Sequence, residues 1–171
     1  MRAFVKGFLI AFLLFGLFCC GKNDKVFLEK DGQKYEIANQ VTFYYPKDFT
    51  LNTDSTNKEV VQFIYEDEVM AYQMIKNDTD NLIEQMPQLY AGQLEEDGAI
   101  DVKYHDVELE SGLQCQEFTG TYQATGIAFK HMVYFAKNAA YVFSYQSPQS
   151  VYDDHIAVMS QYLDSLVVHE E

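Results

Sequence analysis

The chain carries 26 acidic against 12 basic side chains in 171 residues, a net charge of −14. An excess of that size repels nucleic-acid phosphates and anionic lipid headgroups, which excludes nucleic-acid binding and flat electrostatic docking on a membrane. Its length fits one domain with a core of its own, preceded by a short N-terminal segment.

That segment opens with Arg2 and Lys6 and has no acidic residue before Asp24, and Phe8 to Phe18 is almost wholly apolar. A basic start, an apolar run shorter than the ~20 residues of a membrane span, and an abrupt polar stretch make the pattern of an export signal. Counting Phe4 and Val5 lengthens the run toward a span, so an uncleaved anchor helix is the alternative. The residues Leu17-Phe18-Cys19-Cys20-Gly21-Lys22 resemble the bacterial lipobox, in which Leu stands three places before the modified Cys. Phe18 and Cys19 depart from it, since small residues are usual there. Cys20 fits better than Cys19, because Phe18 would otherwise directly precede the cleaved bond. The resemblance implies that residues 1–19 are a removed signal peptide. It also implies that Cys20 becomes the mature N-terminus with a diacylglyceryl group, of the palmitate type, on its sulfur. Two acyl chains anchor stably where one is marginal. Residues 20–25 are then a lipidated tether. Losing Arg2 and Lys6 leaves the mature part near −16, so the lipid is the expected attachment to the outer side of a cell membrane.

Residues 26–171 read as a single domain. Val26-Phe27-Leu28 and Tyr35-Glu36-Ile37 flank Asp31-Gly32, which predicts a hairpin. Val41 to Tyr45 is a third strand ended by Pro46, and residues 50–58 read as a loop. Val60 to Tyr65 and Val69 to Ile75 are two strands around the acidic turn Glu66-Asp67-Glu68. Leu82, Met86, Leu89, Tyr90 and Leu94 recur at helical spacing. Pro87 either kinks a helix that starts near Asn81 or sits in the first turn of one that starts near Met86, and Gly98 closes it. Residues 99–146 predict four strands with turns at Ser111-Gly112, Thr125-Gly126 and Lys137-Asn138. A last helix follows Ser147, with Ile156, Met159, Leu163 and Leu166 as its buried stripe. Runs of strands interrupted by helices argue for α+β with an antiparallel sheet.

No catalytic constellation emerges. There is no Gly-x-Ser-x-Gly elbow, no Gly-rich phosphate loop and no His ligand set among His105, His131, His155 and His169. Accordingly no catalytic residue and no cofactor is assigned. Asp78 and Asp80, with Asn77 and Asn81, offer oxygen ligands of the kind Ca2+ takes, but without the glycine and glutamate spacing of an EF-hand. Capping of a helix N-terminus accounts for the same residues. Glu66-Asp67-Glu68 reads as a solvated hairpin tip. His131 alternates with Phe129 and Val133 and reads as a satisfied core histidine, and His155 as a surface residue. Cys115, left without a partner once Cys19 and Cys20 are set aside, reads as a small buried apolar side chain.

The order of elements resembles the PsbP/Mog1 superfamily, including bacterial lipoproteins with PsbP-like domains. The matching residues are Tyr45-Pro46-Lys47-Asp48-Phe49 after an early strand, Tyr141-Val142-Phe143-Ser144-Tyr145 ending the meander, and Leu163-Asp164-Ser165-Leu166 closing the terminal helix. The likeness runs over roughly residues 35–168. It implies a central antiparallel sheet with helices on both faces and a binding or accessory role instead of an enzymatic one. The expected partner is an envelope protein, a peptide or a small ligand. A cell-surface structural protein is the alternative; an envelope hydrolase using His131 or His105 with a carboxylate is the weaker one.

Overall fold

A computed structural model describes residues 25–53, 60–76 and 83–169. A helical turn, α1 (Leu28–Asp31), leads into strands β1 (Gly32–Ile37) and β2 (Val41–Pro46), which pair antiparallel. Asn39 stands at φ 59° in their connection, a left-handed conformation that Asn tolerates better than most residues. Strands β3 (Thr50–Leu51), β4 (Val60–Tyr65) and β5 (Glu68–Lys76) follow. A 3-10 turn over Ile83–Gln85 runs into α2 (Met86–Glu96). Then come β6 (Ala99–Glu108), β7 (Gln114–Tyr122), β8 (Ile127–Phe135) and β9 (Ala139–Pro148). The helix α3 (Gln149–Leu163) and a short strand β10 (Val167–Val168) end the domain.

Seven strands make one antiparallel sheet in the order β3-β4-β5-β9-β8-β7-β6, and β1-β2-β10 make a second. Alternation sends side chains of the large sheet to two covered faces. Phe63, Met70, Tyr72, Met132, Phe143 and Tyr145 meet the small sheet and α3, while Phe118, Phe129, Val133 and Val142 meet α2. Phe43 of β2 is the hub between the sheets, its ring 4.3 Å from Phe143 and 5.7 Å from Tyr72. Burying one such side chain stabilises by roughly 1.5–3 kcal/mol through transfer alone. Beneath α3, Lys130 of β8 pairs with Glu117 of β7 at 2.9 Å and donates to the Ser160 hydroxyl at 3.0 Å, fixing the helix over the sheet. On the α2 side Gly120 lets Phe129 lie flat on the strand: a Cβ there would stand 2.7 Å from the ring.

The α+β class, the antiparallel meander and helices on both faces agree with the sequence reading. The first hairpin does not. Val26 to Leu28 pair with no strand, and the chain turns helically at α1, where the Phe27 carbonyl accepts from the amides of Lys30 and Asp31 and the Asp31 carboxylate accepts from the Phe27 amide. Gly32 is at φ −109°, so it is no left-handed turn residue. It is small because a Cβ would come 2.8 Å from the Leu28 carbonyl oxygen and 3.0 Å from the Tyr162 ring. The true first hairpin is β1–β2. Residues 50–51 are paired as β3 where a loop was expected. Pro87 sits in the first turn of α2, the second of the two expected placements, because a first-turn residue has no intrahelical amide bond to lose.

Candidate functional site

Strand β5 begins at Glu68, and the alternation that buries Met70 and Tyr72 also turns Glu68 inward, leaving it 2% exposed. A buried carboxylate requires hydrogen-bond donors. Glu68 has two on its Oε2: the Tyr145 hydroxyl of β9 at 2.6 Å and Nδ1 of His155 on α3 at 2.9 Å. Burial, and then the bond to Glu68, push the Tyr145 hydroxyl pKa up, so this group stays protonated and donates. The Nδ1 proton of His155 points to the carboxylate, which leaves Nε2 free of that contact. The imidazole is about half exposed and lines a cleft of about 560 Å3.

This cleft lies between α1, the end of β2 and α3. Its floor is apolar: Phe49, 4% exposed, stacks on Tyr65 at 5.8 Å, and Met159 and Tyr162 continue the surface along α3. Its rim mixes the cations Lys30 and Lys47 with the anions Asp31 and Asp48. The Lys47 ammonium donates to the Lys30 carbonyl, tying β2 to α1. A held imidazole over an apolar floor with both signs of charge at the rim suits hydrogen bonding of a partner that also buries apolar surface. Among the described residues lining the cleft there is no serine, threonine or cysteine, and the hydroxyls present are the phenols of Tyr65 and Tyr162.

The other residues singled out from the sequence fall elsewhere. His131 is 5% exposed under α2; its Nδ1 lies 2.9 Å from the Tyr90 hydroxyl and its Nε2 3.3 Å from the Gln146 amide. It is the satisfied core histidine expected, and its described partners include no carboxylate. His105 is exposed on β6, opposite Glu117 in register, without an ion pair to it among the described residues. Cys115 is 3% exposed, and burial pushes its thiol up to about 12. Cys20, Asp78 and Asp80 lie outside the described residues. Among the described residues no group of three or more His, Cys, Asp or Glu side chains could hold a metal ion, and no helix is long and apolar enough to cross a membrane.

One expectation is corrected: Glu66 and Asp67 are the exposed hairpin tip, but Glu68 is core. His155 is at the surface as expected, and from there it closes a contact 87 positions away in sequence. Both signals were present: Glu68 shares parity with Met70 and Tyr72, and His155 precedes Met159 and Tyr162 by four and seven residues, one helix face.

No protein-family model and no curated protein matches the chain. Several solved structures do. Cyanobacterial PsbP from Synechocystis sp. PCC 6803 superposes with a TM-score of 0.56 at 14% identity, over 81% of this chain and 92% of the other. LpqN of Mycobacterium tuberculosis, described as involved in cell envelope biogenesis, gives 0.56 at 14%, over 81% and 86%. A point mutant of the protein Mog1 gives 0.53 at 11%, over 81% and 96%. At these identities the likeness concerns the fold, and the fold of this chain is of the PsbP/Mog1 type.

Proposed function

We propose that the protein is an extracytoplasmic lipoprotein, anchored through Cys20, which acts without catalysis by binding an envelope protein or peptide in the α3 cleft. The observation that carries the binding role is the half-exposed His155 imidazole, held by the buried Glu68 over the apolar floor of Phe49 and Met159. The lipobox-like residues support the anchor, and the place of LpqN in cell envelope biogenesis is in keeping with an envelope setting.

The test is crosslinking and capture of the full chain from native membranes, beside a Val158→Arg variant that places charge on the cleft wall. A partner recovered reproducibly with the parent chain and lost with Val158→Arg supports the reading. Recovery of the same partners with both proteins sinks it. For the anchor, Cys20→Ala should move the protein from the membrane to the soluble fraction; retention would make the N-terminal segment a span.

The carboxylate–imidazole pair favours one second reading, an envelope hydrolase in which His155 Nε2 activates water as a general base. Ester or amide hydrolysis abolished by His155→Gln would establish it in place of the first.

A further inference from the structure

We infer that the opposite face of the large sheet carries a second binding site, built for an uncharged saccharide. A groove of about 300 Å3 lies there between α2 and the strands β4, β5, β9 and β8, at the small end of the roughly 300–1,000 Å3 range of ligand pockets. Its floor follows from the register. Gln62, Ala71, Ser144 and His131 stand in one row across four strands, and Gln73 and Gln146 lie on the neighbouring rows of the same face. Gln93 and Asp97 of the α2 end form the wall, joined by a 3.1 Å hydrogen bond.

The chemistry of this lining departs from that of the whole chain. In a protein with 26 acidic and 12 basic residues, the described residues lining the groove include four glutamines among aliphatic neighbours and one carboxylate, Asp97, with no Lys or Arg among them. Burial lowers the His131 pKa to about 4, so this ring is neutral near pH 7. Among the described residues of the lining, a charged ligand would meet a counter-charge only at Asp97. An apolar ligand would leave unused the Gln73 amide and the remaining hydrogen-bonding capacity of Gln62, Gln93 and Gln146, each of which has one internal partner. A saccharide satisfies them. Each hydroxyl both donates and accepts, and a planar amide presents one donor group and one acceptor side by side, matching two adjacent hydroxyls. The rings of Tyr90 from α2 and Tyr122 from the end of β7 also line the groove and offer apolar surface for sugar C–H groups.

The hydrogen-bonding capacity is open. Gln73 is half-buried, and its side-chain amide makes no hydrogen bond among the described residues, while its backbone pairs in the sheet. With the Gln146 amide donating to His131 Nε2, the neutral ring carries its proton on Nδ1 and gives it to the Tyr90 oxygen. The Tyr90 hydroxyl proton is then free to donate.

The experiment uses the full chain in a detergent that is not itself a glycoside, applied to an array of neutral and anionic oligosaccharides. Retention of neutral glycans, with affinity reduced about 10-fold or more by Gln73→Leu, is the expected result, 10-fold being the loss of one hydrogen bond of about 1.4 kcal/mol. Gln73→Leu removes no internal bond, so the fold is spared; an Asp97→Asn variant provides a second probe of the wall, and Val158→Arg in the α3 cleft should leave glycan binding unchanged. No retained neutral glycan, equal retention of anionic ones, or binding indifferent to both groove variants would overturn the inference.

Discussion

Glu68 and Tyr145, 77 positions apart in sequence, meet through a 2.6 Å hydrogen bond in which the phenol donates to a buried carboxylate. The same oxygen accepts from His155, whose side chain is about half exposed. The two donors therefore differ in environment, and their loss should differ in consequence. Removing the buried donor leaves a carboxylate short of a partner in the core, which costs about 1–3 kcal/mol. Removing the half-exposed one lets water replace it, at less than about 1 kcal/mol. Urea unfolding of Tyr145→Phe and His155→Ala should show that order, and the reverse order would contradict the burial argument.

Tyr72 makes the opposite case. Its ring packs 5.7 Å from Phe43, but its hydroxyl is buried without a hydrogen-bond partner among the described residues. An unpaired buried hydroxyl disfavours folding, and its removal leaves the ring packing intact. Tyr72→Phe should stabilise the protein by about 1 kcal/mol, read as a higher urea midpoint at unchanged slope.

These residues also show what the sequence carried and what it did not. The β6–β9 meander was legible because its strands are rich in aromatic and β-branched residues and its turns hold Gly112, Gly126 and Asn138. The first hairpin was misplaced because Asp31-Gly32 mimics a turn signal, while Gly32 is small because a Cβ would meet the Leu28 carbonyl oxygen and the ring of Tyr162, a residue of the far C-terminal helix. The candidate site was half legible. Parity with Met70 and Tyr72 was a signal for Glu68 on the buried face, but the run of three acidic residues was read as a solvated tip because each was not placed on its own side of the strand. That His155 and Tyr145 would converge on it depends on α3 folding back across β9 and β8, with β5 paired beside β9, a relation between distant segments that local pattern does not contain. The open groove was invisible for the same reason: its glutamines come from β4, β5, α2 and β9, and singly each is an ordinary polar residue.

Cys115 supplies a prediction about reactivity. Only the thiolate is a nucleophile, and burial pushes this thiol up to about 12. In the folded protein at pH 8 its alkylation by iodoacetamide should be at least about 100-fold slower than in urea, by peptide mass analysis, which separates it from Cys19 and Cys20. Comparable rates in the two states would show that the β7–β8 region opens readily.

His131 sets a pH dependence whose sign follows from its burial. Its folded-state pKa is lowered to about 4, against 6.5 for an ordinary imidazole. Between those values the unfolded chain binds a proton that the folded one refuses, so acid favours unfolding. The neutral ring's contribution is complete above about pH 6.5 and is lost as pH falls toward 4, on the order of 3 kcal/mol across that window. Carboxylates titrate in the lower part of it as well, so the informative quantity is a difference between proteins. His131→Gln keeps hydrogen-bonding capacity toward Tyr90 and Gln146 without a titrating group. Its stability should fall less steeply than the parent's from pH 6.5 to 4, and the imidazole resonances of His131 in the parent should show no titration above about pH 5. Parallel stability curves, or a His131 midpoint near 6.5, would mean that water reaches the ring through the groove and that α2 does not seal it.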